Sequence, residues 1–150
     1  MVTGNENKQR VVDRIREWFG SLPQGTAELT EELTEYETII RIKPSKSKAC
    51  DIEFRIGNYG KFDVAMGNGI QFDEIPISLD LVVDICRSVA KGRVKERVWI
   101  SNGKVVRSKG EVELSSDRWF DRGSNSWRGI LGLGKVEDIH YEPYTRDEGV

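Results

Sequence analysis

The sequence predicts an α+β domain: an antiparallel sheet of about six strands, in the order αββββαββ, with two helices packed on one face. Three observations lead there. Two segments, 11–19 and 79–91, repeat their apolar residues with a helical period. Between and after them apolar and polar residues alternate, as in strands with one buried face. The connections are too short for the crossovers that parallel strands require. One more C-terminal strand, through Val136, Ile139 and Tyr141, extends the pattern.

In the first helix Val11, Val12, Ile15, Trp18 and Phe19 share a face, while Arg10, Asp13, Arg14, Arg16 and Glu17 fill the rest. Gly20 stands where a C-terminal cap belongs, and Pro23 prevents resumption. Residues 24–33 read both ways. Leu29, Leu33 and Tyr36 have helical spacing, yet the stretch is threonine-rich and runs into Thr38-Ile39-Ile40-Arg41-Ile42. A strand is assigned only over 34–43, ended by Pro44. Cys50, Ile52, Phe54 and Ile56 then alternate with Asp51, Glu53 and Arg55, and Gly57-Asn58-Tyr59-Gly60 makes a turn. Phe62, Val64 and Met66 form the next inward set. A three-residue loop, Gly67-Asn68-Gly69, pairs Met66 with Ile70 and Val64 with Phe72, so both strands turn the same face inward. These four strands form a meander.

Ser78 offers an N-cap to the second helix, Val82, Ile85, Cys86 and Val89 form its inward stripe, and Gly92 stops it. A hairpin follows at Asn102-Gly103. A two-residue turn would set Val106 opposite Trp99, so an odd loop, Ser101-Asn102-Gly103 with a bulge, is expected. That register puts Val94, Val98 and Ile100 on one face with Val106, Val112 and Leu114. Beyond Leu114 the periodicity weakens into a glycine-containing segment studded with Trp119, Phe120 and Trp127.

A chain of 150 residues suits a single domain with its own core, and 37% hydrophobic residues is too many for disorder. No run approaches the roughly 20 apolar residues of a membrane span, and Met1 leads into a polar stretch, so the expected setting is cytoplasmic with no membrane contact. Cys50 and Cys86 lie inside apolar patterns and read as reduced, buried thiols. The formal charge of -2 excludes a whole-chain basic excess, but the charge is unevenly spread. Glu28, Glu31, Glu32, Glu35 and Glu37 have no base among them, whereas residues 93–109 are strongly basic.

Chemical constellations are weak. The one histidine, His140, reads as a plain strand residue and leaves no choice of base for a nucleophilic triad. Residues 129–135 match the first seven positions of a phosphate-binding loop, but Val136 stands where a hydroxyl is needed and Glu137-Asp138 follow, so no nucleotide site is expected. Asp51, Glu53 and Asp63 share an outward sheet face and read as solvated carboxylates; no metal or cofactor is expected.

Recognition features are stronger. On the outer face of the hairpin Arg93, Lys95, Arg97, Trp99, Arg107 and Lys109 interleave cations with a ring. Trp119 and Trp127 stand among Arg118, Arg122 and Arg128, a composition typical of binding hot spots. The expectation is a non-catalytic, bacterial-style protein-binding module acting through these patches, with toxin neutralisation as one concrete version. The alternatives are nucleic-acid binding through the 93–109 hairpin, and a small-ligand carrier or enzyme using a sheet–helix pocket near Asp51, Glu53, Asp63 or His140.

Overall fold

The computed structural model describes residues 4–121 and 134–145. The chain runs α1 (Gly4–Gly20), β1 (Ala27–Leu33), β2 (Glu37–Pro44), β3 (Ile52–Gly57), β4 (Lys61–Met66), β5 (Ile70–Pro76), α2 (Leu79–Ala90), β6 (Val94–Ser101), β7 (Lys104–Glu113), β8 (Arg118–Asp121) and β9 (Lys135–His140). The α+β class with antiparallel pairing stands. The single six-stranded sheet does not: the strands form one sheet of five, ordered β1-β2-β3-β4-β5, and another of four, ordered β8-β7-β6-β9.

The five-stranded sheet is the expected meander with β1 added in front. Its registers pair Ile40 with Phe54, Phe54 with Val64, Met66 with Ile70 and Val64 with Phe72. Alternation then turns Ile40, Ile42, Ile52, Phe54, Ile56, Phe62 and Val64 to one face, where all are essentially inaccessible. Helices α1 and α2 pack together and against this face. Ser78 caps α2 as expected, its hydroxyl accepting the Leu81 N–H, and Gly92 follows at φ 76°.

The second sheet shares the same core through Val94, Val112 and Leu114. It meets the first where β7 crosses β5. A Cβ on Gly110 would stand 2.2 and 2.3 Å from Cγ1 and Cδ1 of Ile70, so only glycine lets the strands approach this closely. The Gln71 N–H also donates to Asp121.

The β6–β7 hairpin corrects the expected odd loop. Ser101 pairs with Lys104 around a two-residue turn in which Asn102 (φ 53°) and Gly103 (φ 74°) are both left-handed, as a type I′ turn demands. The parity is restored further along: the register shifts between Trp99 and Ile100, leaving Val106 as the extra residue of a bulge. Val94 and Val112 thereby face inward together.

Candidate functional site

The outer face of the four-stranded sheet collects the basic hairpin residues into cross-strand rows. One row runs Phe120, Glu111, Lys95, His140 across β8, β7, β6 and β9. The next runs Lys109, Arg97, Asp138, and the third Arg107, Trp99, Val136. These strands shape an open groove of about 840 Å³, with Phe120 on one flank, Asp138 and His140 on the other, and Lys95, Arg97, Lys109 and Glu111 between.

The charges differ in availability. Arg97 makes a forked pair with Asp138, Nε to Oδ1 at 2.7 Å and a second nitrogen to Oδ2 at 3.2 Å. The hydrogen bond and attraction of Arg97 hold the Asp138 carboxyl below its ordinary range. Arg107 lies 4.5 Å above the Trp99 ring and so covers it, and its Nε is buried without a hydrogen-bond partner among the described residues. Lys95 and Lys109 have no ion pair among the described residues and project into the groove. Beside them Phe120 is 68% and Val136 48% exposed.

Arg93, grouped with this face by sequence, and Trp119, read as part of the separate aromatic segment, lie elsewhere. Arg93 lines a separate cleft with Trp18, Asp84 and Arg87. Trp119 points to the opposite side of β8 and meets Phe72 edge-on, ring centres 5.2 Å apart. Trp127, with Arg122 and Arg128 and all but the end of the phosphate-loop resemblance, lies outside the described residues. Phe120, Val136 and Asp138 join the face only because β8 and β9 flank the hairpin, whereas Glu111 belongs to β7 itself, on the side of Lys109. Alternation in β9 hints that Val136 and Asp138 share a side, but only its pairing with β6 places them here.

The acid–base candidates have structural partners. Glu53 sits between Arg41 (2.7 Å) and Arg55 (3.3 Å), and the chain of pairs continues to Glu32 and Glu37. Burial raises the Glu53 pKa, but the two arginine hydrogen bonds outweigh it and leave the carboxyl below its ordinary range. Asp63 faces Arg55 in the register and accepts the N–H of Glu74, which has a positive φ of 54°. Asp51 accepts the Gly67 N–H. The acidic run is likewise partly neutralised from within, Glu31 accepting two hydrogen bonds from Arg16. Cys50 and Cys86 are buried, which pushes both thiols up and away from thiolate chemistry. Among the described residues no cluster of His, Cys, Asp and Glu is arranged to hold a metal ion, and no helix is long and apolar enough to cross a membrane.

Sequence reasoning missed a buried carboxylate. Glu96 points inward from β6, only 3% exposed, and takes up the β4–β5 turn. Oε1 accepts the Asn68 N–H (3.0 Å), its side-chain amide (3.1 Å) and the Tyr141 hydroxyl (2.7 Å), while Oε2 accepts the Gly69 N–H (3.0 Å). Burial, then Glu96 itself, raises the Tyr141 pKa. Gly67 is equally constrained: at φ 64°, a Cβ there would lie 2.7 Å from both Glu96 Oε1 and the Tyr141 hydroxyl. This cluster ties the second sheet to the first and so fixes the groove.

Beside β9 a further cleft of about 890 Å³ opens between Asp138–Tyr141 and the outer side of the five-stranded sheet, where Arg41, Lys43, Lys46, Lys48, Asp51 and Glu53 stand. His140 lines both hollows. This cleft, which Asp51, Glu53 and His140 line, lies beside β9 and the five-stranded sheet and not between sheet and helices. Compared with protein-family models, curated proteins and solved structures, the chain matches none.

Proposed function

We propose that this protein is a non-catalytic binding module whose recognition surface is the outer face of β8-β7-β6-β9, and that its partner is another protein. One observation carries this: the open groove holds the exposed ring of Phe120 together with Lys95 and Lys109, which have no ion pair among the described residues, an apolar anchor in reach of charge that can steer an acidic partner. The carboxylates singled out by sequence, Asp51, Glu53 and Asp63, are hydrogen-bonded or ion-paired, and Cys50 and Cys86 are buried. Neutralising a toxin is one role that needs only such affinity. Stacking by single-stranded nucleic acid is the weaker reading, because Trp99 is covered by Arg107.

The test is capture from native lysate with wild type, with a Lys109→Glu/Phe120→Asp variant, and with Tyr59→Ala as a distant exposed control. An identified protein retained by wild type and the control but lost by the groove variant, and stable to nuclease and high salt, is the expected result. A partner held equally by the groove variant overturns the assignment, and nucleic acid released by salt moves it to the alternative.

A further inference from the structure

Resting on the recognition face proposed above, we infer how the partner docks: an extended, acidic segment adds to the edge of β9 that no described strand pairs, as a further strand of the second sheet. The backbone carries the inference. The Tyr141 N–H donates to Val94, so alternate β9 residues bond to β6. By the same alternation the N–H and C=O groups of Val136, Asp138 and His140 point away from β6. Among the described residues β9 pairs only with β6, so these groups form an unfilled row.

The chain already fills the continuation of this row. Just past β9, the Glu142 N–H donates to the Lys48 carbonyl at 2.9 Å, and Ala49 bridges Glu142 in parallel. An incoming strand extends that line into the cleft beside β9. The opposite wall there carries Lys43, Lys46 and Lys48 against Glu28 and Asp51, with Arg41 and Glu53 paired to each other, and this basic excess favours acidic side chains on the segment. The edge strand β1 faces outward with Glu28, Glu31 and Glu32, the last two paired with Arg16 and Arg41, and suits an acidic segment less well.

Strand addition draws affinity from main-chain bonds, so it responds to proline where a side-chain contact does not. The outward N–H of Val136 makes no bond to β6, and proline is tolerated at such edge positions. The probe is a displayed library of random linear peptides panned on the full chain. Acidic binders should weaken about tenfold or more on Val136→Pro, which removes a donor and intrudes on the edge, and should tolerate Val136→Ala. In wild type, bound peptide should slow amide exchange at Asp138 and His140, a readout independent of the proline variant's folding. Binders that ignore Val136→Pro and leave those amides unprotected, or no enrichment at all, overturn strand addition. If such binders still fail on Lys109→Glu/Phe120→Asp, the recognition face survives without it; if they ignore both variants, both proposals fall.

Discussion

Replacing Glu96 should loosen the joint between the two sheets. Glu96→Ala strips the acceptor from four donors. The Asn68 side chain and the Tyr141 hydroxyl can turn towards water, but the N–H groups of Asn68 and Gly69 are fixed by the turn. Stranding them costs about 2–4 kcal/mol, out of roughly 5–15 kcal/mol for a domain of ordinary stability. Glu96→Gln keeps the shape yet must aim an NH₂ at either the Gly69 N–H or the donors around Oε1, for about 1–3 kcal/mol. Urea unfolding of both variants gives the magnitudes, and hydrogen exchange should show the amides of the 67–69 turn opening first. A Glu96→Gln variant within about 0.5 kcal/mol of wild type, its turn amides still protected, would refute the reasoning.

Gly110→Ala should destabilise by about 1–3 kcal/mol through its clash with Ile70, and Ile70→Val, which removes Cδ1, should recover part of that in the double variant. The lowered Glu53 pKa stabilises the folded state above the ordinary carboxylate range, and that contribution is lost as pH falls through the lower folded value. Glu53→Gln should therefore flatten the stability curve below about pH 5, by less than about 1 kcal/mol because the pairs are solvent-screened. Cys50 and Cys86 should resist alkylation in the native protein and react together on unfolding; rapid native labelling would contradict their burial.

Local patterning carried much of the fold. The α1 stripe, the Ser78 cap and the pairings across Gly67-Asn68-Gly69 follow from period and turn chemistry alone. Alternation says which side of a strand is buried, but not which strand lies beside it, so the division into two sheets and the docking of β9 on β6 were invisible. Strand β1 escaped for a related reason. As an edge strand it exposes Leu33, 78% accessible, and its leucines fall at a spacing a helix would also give. At the hairpin, parity demanded one extra residue, but nothing local said whether it belonged in the turn or, as with Val106, in the strand. The site divided the same way: Lys95, Arg97, Trp99, Arg107 and Lys109 were legible as one face, whereas Phe120 and Asp138 needed the pairing of β8 and β9. Trp119, one residue from Phe120, points to the other side because strand faces alternate.

Hydrogen–deuterium exchange of the protein with its captured partner tests the recognition face most directly. Binding there slows exchange in 95–99, 107–111, 118–121 and 135–140, while α1 and the 57–60 turn are unchanged. Protection centred on α1, α2 or the 57–60 turn, with the second sheet unaffected, would contradict it.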